Sequence, residues 1–369
     1  MKAVIVSSSY SYLERVELLK EYYEEKGYET IVLLTDFIHS SKKHADWDKS
    51  GYFLVKTKPY KRNISVKRLY SHYRFAKDVE RQLEIMEVDL LHVLLPANSL
   101  AKVAEQYKVK HPSVKLYFDI IDLWPETMPI SRFKQTYPFE YWRKLRDNHL
   151  GQAERIYCEC DLFAKVMQSE NNDKLRTLYW VKSGEPVVSN PKLSMDELHL
   201  CYLGSINNVI DIDYFVRMCK ELTKVKRVIL HIIGDGEKRE ELLNRINETK
   251  VEVIYHGVMY DPEKKQAIFD VCHFGLNIMK SSVCVGLTMK SLDYFRAGLP
   301  IINNIDGDTE EMINTHHIGF NGYHTLLEQL EQLQEKDYLE MRENVKKLYY
   351  EKFTKEAFVK RLEENDWKS

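Results

Sequence analysis

The run Val285-Gly286-Leu287-Thr288-Met289-Lys290-Ser291-Leu292-Asp293-Tyr294-Phe295-Arg296-Ala297-Gly298-Leu299-Pro300 reads as a loop, a helix and the entry to a strand. The glycine at 286 belongs to a loop that enters a helix at about Thr288, and Gly298 stops that helix. Leu299-Pro300 then starts another short apolar run, Pro300–Asn303. Strand, loop, helix and strand in that order form the unit from which parallel sheets are built. Lys290 and Asp293 stand three residues apart, so both project on one side of the first helical turn. A lysine at a helix entrance can neutralise a phosphate, and a carboxylate one turn on can accept hydrogen bonds from ribose hydroxyls. An i,i+3 ion pair between the two is the plain structural alternative.

Working outward, the same unit repeats. His199–Leu203, Val228–Ile233, Val251–Tyr255 and Phe274–Ile278 are short apolar runs, each followed by a helical segment. The first half repeats it with Ala3–Val6, Thr30–Leu34, Leu90–Leu94, Val114–Phe118 and Arg155–Cys158 as strands. Its helices fall on Tyr12–Lys26, Val66–Glu87 and Ser99–Val109, and the closing Asp337–Trp367 is helical in period. Leu339, Val345, Leu348, Tyr349, Phe353, Phe358 and Leu362 give that last segment an apolar face. Between the halves, Lys182–Met195 has linker composition, with Gly184, Pro186 and Pro191. The reading is α/β, with two doubly wound Rossmann-like domains facing each other across a cleft. The first spans 1–182, the second 196–349, and a helix at about 350–369 packs back on the first.

Composition narrows the function. At 369 residues, 44% hydrophobic and 30% charged, the chain has globular composition and room for two cores. No stretch is apolar enough to span a bilayer, and the first apolar run reads as a strand and not a signal peptide. Six cysteines without a framework suit a reducing, cytoplasmic setting, with Cys158 and Cys160 as buried structural thiols. A formal net charge of -2 argues against a nucleic-acid partner. Residues 1–180 carry a net +4 and 181–369 a net -6. Nine Lys or Arg lie in Lys56–Arg81, interleaved with Tyr60, Tyr70, Tyr73 and Phe75. That stretch is a candidate contact with an anionic membrane surface, against the alternative of a solvated helix face. Phe133–Arg146 is a second, aromatic and basic, candidate contact.

Other strand ends carry turns suited to an anion. Gly204-Ser205 and Gly234-Asp235-Gly236 follow predicted strands and open helices, the first near Val209 and the second at Arg239–Ile246. His256-Gly257 ends another strand. Glycines let backbone approach a ligand, and helix N-termini present N–H groups to negative charge. Asp211-Ile212-Asp213 has the spacing of a metal motif but precedes a helix, where acids belong in the first turn. In the first half, Asp122 and Glu126 lie at the carboxyl end of a strand, where either could orient or deprotonate an acceptor hydroxyl. A turn at Asp122 with structural packing of Trp124-Pro125 is the alternative.

In order and in kind, these segments resemble the nucleotide-binding half of GT-B retaining glycosyltransferases of family 4. Asp119-Ile120-Ile121-Asp122-Leu123-Trp124-Pro125-Glu126 resembles a segment of their surface-polysaccharide branch. The resemblance implies transfer from a nucleotide sugar, expected to be a UDP-sugar, to a glycan or lipid-linked glycan, without a metal or other cofactor. It implies that Gly204, Ser205, Gly234, Asp235 and Gly236 line nucleotide and diphosphate, with His256-Gly257 beside them. It places Lys290 on phosphate, Asp293 on ribose, and Asn277 to Thr288, with Gly286, around the sugar. The chain departs from the family at three places. Asp293 and Val285 stand where glutamates are usual, and Ile206-Asn207-Asn208-Val209 replaces the usual Arg and Lys. A nucleotide-sugar epimerase of this fold and a non-catalytic partner subunit are the alternative readings, and a homo-oligomer is open to it.

Overall fold

The computed structural model describes residues 1–46, 48–61, 65–128, 136–167, 172–182, 186, 188–189, 191 and 196–366. It divides into two compact units, one of 1–180 with 358–369 and one of 181–357.

In the first unit, β1 (Lys2–Ser7), β2 (Glu29–Thr35), β5 (Tyr52–Val55), β6 (Leu90–Leu95), β7 (Lys115–Ile120), β8 (Arg155–Cys158) and β9 (Leu175–Thr177) form a sheet. Its order is β5-β2-β1-β6-β7-β8-β9, and every neighbouring pair is parallel. A two-residue hairpin, β3 (Phe37–Ile38) and β4 (Lys43–His44), hangs off β2. The helices are α1 (Leu13–Glu25), α2 (Val66–Leu83), α3 (Ser99–Lys110), α4 (Tyr137–Asp147) and α5 (Asp161–Met167). Central strands covered on both faces read as continuous apolar runs, and β6 is buried at every position. α2 stops at Leu83, short of the expected Glu87, and its last residues turn back over Leu83 and Gln82.

The second unit repeats the plan. β10 (Glu197–Leu203), β11 (Arg227–Ile233), β12 (Glu252–Gly257), β13 (Phe274–Asn277), β14 (Ile301–Asn303) and β15 (Gly319–Asn321) run parallel in the order β12-β11-β10-β13-β14-β15. The chain winds from β10 to β12, then resumes on the other side of β10 at β13. That reversal makes the carboxyl ends of β10 and β13 the switch point, where open α/β sheets take ligands. Helices α6 (Ile212–Leu222), α7 (Arg239–Asn247), α8 (Pro262–Val271), α9 (Met289–Arg296), α10 (Asp308–His316), α11 (Tyr323–Leu330) and α12 (Glu335–Lys352) complete it.

The closing segment is two helices, not one. α12 ends before Phe353, and α13 (Lys355–Asp366) follows. Val345, Leu348, Phe353, Phe358 and Leu362 are buried as expected, whereas Leu339 points to solvent, 40% exposed. From Phe358 onward the chain belongs to the first unit. There Phe358 lies under the Arg15 guanidinium at 5.3 Å, and Lys26 pairs with Glu363 at 2.7 Å. Much of the expected linker, including Gly184, lies outside the described residues. Its described residues Lys182 and Ser189 are tied to the second unit, to Asp293 and Asp270.

Candidate functional site

Loops at three successive strand ends of the second unit brace one another. Gly204 N–H donates to the Ile233 carbonyl, Ile206 N–H to that of Asp235, and Gly234 N–H to that of Gly257. Gly234 holds φ at +139°, and a Cβ there would stand 2.0 Å from the Gly204 carbonyl oxygen. Its sequence reading as a residue that lets a ligand approach is therefore incomplete, because the neighbouring loop already demands glycine. Asp235 accepts from Gly236 N–H at 2.7 Å and pairs with Arg239 at 3.0 Å. Ser205 is exposed, and its carbonyl accepts from the Tyr202 hydroxyl.

α9 is fixed beside them. The Tyr294 hydroxyl accepts from Leu203 N–H at 2.8 Å and donates to the Cys201 carbonyl at 3.1 Å. Its ring lies flat on Gly275, where a Cβ would meet ring carbons at 2.7 Å. Thr288 caps the helix as expected, accepting from Ser291 N–H at 3.2 Å. The Thr288 hydroxyl in turn donates to Asn277 Oδ1 at 3.0 Å. Asn277, Asn303 and Asn321 share one register across β13, β14 and β15. Their amides join in series, Asn277 Nδ2 to Asn303 Oδ1 at 2.9 Å and Asn303 Nδ2 to Asn321 Oδ1 at 3.1 Å. Only Asn277 was expected here; an asparagine at the end of each of three apolar runs was the available signal. Gly286 is held from α10, its carbonyl accepting from both Thr309 N–H and the Thr309 hydroxyl.

Lys290 and Asp293 do not pair with each other. The Lys290 ammonium stands 4.6 Å from the centre of the Tyr202 ring, and burial pushes its pKa down to about 7. No carboxylate partner for it appears among the described residues. Asp293 instead meets Lys182 at 3.4 Å, which departs from the expectation of a carboxylate waiting for ribose. His256 joins a stack with His231 and His199, linked by ring nitrogens at 3.0 and 3.1 Å. Burial lowers the pKa of His256. The helix expected near Val209 begins at Ile212, and Asp211 caps it by accepting from Tyr214 N–H at 2.8 Å. Asp213 pairs with Arg245. Both acids thus serve the helix start.

In the first unit Asp122 and Glu126 sit in different environments. The Asp122 carboxylate accepts from the Tyr12 hydroxyl. Burial raises its pKa, against the lowering effects of that hydrogen bond and of Arg68. Glu126 receives two hydrogen bonds from the buried Arg146 guanidinium, at 2.9 and 3.1 Å. Arg146 also donates to the Trp124 carbonyl at 2.8 Å. A carboxylate clamped in this way braces the 122–126 turn, whereas Asp122 is met by the Tyr12 hydroxyl, so the two candidates separate. Asp119, just upstream, pairs with buried Arg15 at 2.7 Å. Burial alone would raise its carboxyl, but Arg15 and His92 hold it below the usual range.

The basic stretch is partly spent on internal contacts. Arg68 lies over Trp124 at 4.1 Å, Lys77 pairs with Glu80, and Arg81 with Asp78. Arg62 lies outside the described residues, as do positions 133–135 of the second candidate contact. Among the described residues no helix is long and apolar enough to cross a membrane. None of their His, Cys, Asp or Glu side chains form a group of three or more placed to hold a metal ion.

Residues 197–339 match the family model of glycosyl transferases group 1. No curated protein matches the chain in sequence. Among solved structures, a sucrose-phosphate synthase from Thermosynechococcus elongatus aligns with a TM-score of 0.67 at 11% identity, covering 99% of this chain and 98% of that one. The lipopolysaccharide outer core galactosyltransferase WaaB aligns with a TM-score of 0.68 at 14% identity, over 99% of each chain. HepE from Anabaena, solved with UDP and glucose, aligns at 0.62 and 11%, over 99% and 98%. The second unit thus carries the glycosyl transferases group 1 signature, in a chain with the two-domain GT-B fold.

Proposed function

We propose that the chain is a glycosyltransferase that moves a sugar from a UDP-sugar bound in its second unit to a hydroxyl activated in its first. The carrying observation is Lys290, partly buried at the first turn of α9 against the Tyr202 ring and with no carboxylate partner among the described residues. A dianionic diphosphate at the switch point supplies the missing charge. As the anomeric carbon loses the diphosphate, negative charge gathers on the leaving oxygens. Lys290 and the first-turn N–H groups of α9 offset it without a metal. The neighbouring likenesses support this donor class, since HepE was solved with UDP and glucose.

Asn277 and Thr288 fix the loop around the sugar, and Asp293, released from Lys182, reaches the ribose. Asp122, with its raised pKa and its Tyr12 partner, orients or deprotonates the acceptor hydroxyl. Retention of anomeric configuration, a surface-polysaccharide product and work at the cytoplasmic face of a membrane complete the proposal. Thermal unfolding with UDP, ADP and GDP sugars, each with and without EDTA, tests it. A UDP-specific rise that EDTA leaves intact is expected, because a ligand of the folded state must stabilise it. Lys290→Ala should weaken UDP binding roughly tenfold to a hundredfold, the worth of one charged hydrogen bond. No rise with any nucleotide would overturn the reading.

A further inference from the structure

A cavity of about 730 Å³ opens in the first unit between α2, α3 and α4. Its walls are largely apolar: Leu69 and Ala76 from α2, Val103 from α3, and Tyr141, Trp142 and Leu145 from α4. α4 covers it without closing it, for Tyr137 and Tyr141 stay 79% and 60% exposed at the rim. That size lies within the usual range of small-molecule sites, about 300–1,000 Å³.

Two polar atoms in the lining set it apart from a packing defect. His72 Nδ1 and Asn98 Oδ1 are buried and have no hydrogen-bond partner among the described residues. His72 is 6% exposed and Asn98 1%. Asn98 is held in place, its amide donating to the Trp124 and Trp142 carbonyls at 3.1 and 3.0 Å. His72 stacks on Trp124 with the rings 10° from parallel. Burial, with Arg68 adding to it, lowers the His72 pKa to about 3, so the ring is neutral. A buried polar atom without a partner is destabilising, and a ligand hydroxyl, which can donate or accept, would relieve it. Both residues touch Trp124, which is two positions from Asp122 in sequence.

We infer that this cavity binds an amphiphile, a hydrocarbon chain joined to a hydroxyl-bearing head, as the acceptor of the reaction proposed above. The chain lies among Leu69, Val103 and Leu145. The head's hydroxyls meet His72 and Asn98. This deepens the proposed function and rests on it for the word acceptor, though not for the binding itself.

The test uses the full chain and dodecyl β-D-glucoside below its critical micelle concentration, followed by tryptophan fluorescence, with free glucose as the head-only probe. Saturable binding of the glucoside and none of glucose is expected. Leu145→Trp, which fills the cavity from a half-exposed position, should weaken binding about tenfold or more. His72→Phe keeps the stack on Trp124 and removes Nδ1, and should cost about fivefold, one hydrogen bond. Val103→Phe fills the same space from α3 and should act as Leu145→Trp does, with far-ultraviolet circular dichroism confirming that each variant is folded. No saturable binding, or equal binding by folded Leu145→Trp and Val103→Phe, overturns the inference. A protein that responds to UDP but not to the glucoside sinks this inference alone. One that binds the glucoside but no nucleotide sinks the donor reading and leaves the cavity standing.

Discussion

Lys290 is where charge and pH meet. Its free pKa of about 7, set by burial, rises when a diphosphate arrives beside it. UDP binding should therefore take up a proton above pH 7. Affinity should be level below that value and fall as pH climbs through the raised pKa. Calorimetry in two buffers of different ionisation enthalpy reads the proton directly, and a buffer-independent heat at pH 8 would contradict it. The two carboxylates of the 122–126 turn offer a second contrast. Asp122→Asn should abolish transfer while UDP binding persists, and the acid limb of the wild-type rate profile should lie above the ordinary carboxylate range. Glu126→Gln should leave UDP binding alone and lower stability instead, because buried Arg146 loses one of its two carboxylate partners and keeps only Asp147. A charged hydrogen-bonding partner is worth about 1.5–3 kcal/mol, and urea midpoints measure its loss.

At the scale of elements, the asparagine series and the braced loops fix where α9 begins. Asn303→Ala takes the acceptor from Asn277 Nδ2 and the donor from Asn321 Oδ1. It should cost about 1–3 kcal/mol and loosen UDP binding without removing any group proposed to touch it. Gly234→Ala should be worse, since a methyl collides with the Gly204 carbonyl. Little soluble protein on expression is the expected outcome. The strands of both sheets were legible because buried parallel strands are continuous apolar runs. The start of α9 was legible too, for Thr288 is a capping residue in front of a helical period. β9 and β15 were missed because they are three-residue edge strands with little apolar pattern to separate them from loops, whereas β5 was missed although Tyr52-Phe53-Leu54-Val55 is a continuous apolar run. The partners of Asp293 and Glu126 were beyond reach. Lys182 lies 111 residues away in sequence from Asp293, and no local spacing announces a contact of that kind. His72, in α2, and Asn98, just ahead of α3, escaped for the same reason.

At the scale of the molecule, each unit buries its own sheet, and the first is assembled from two separated stretches of chain. Phe358 is 1% exposed and covers the Arg15 guanidinium, which also donates to the Leu178 and Tyr179 carbonyls at 3.0 and 3.2 Å. Phe358→Ala should lower the stability of the first unit by about 3–5 kcal/mol. Urea unfolding with and without UDP would separate the units, since only the unaffected second one should keep its ligand-dependent midpoint. The same arrangement sets a timetable during synthesis. Domains fold as they leave the ribosome, and the second unit has all its residues once position 357 has emerged. The first was begun earlier but has to wait for 358–369. A nascent chain therefore carries a finished second unit before its first unit is sealed. A chain cut at position 357 should therefore hold a folded second unit beside an unsealed first.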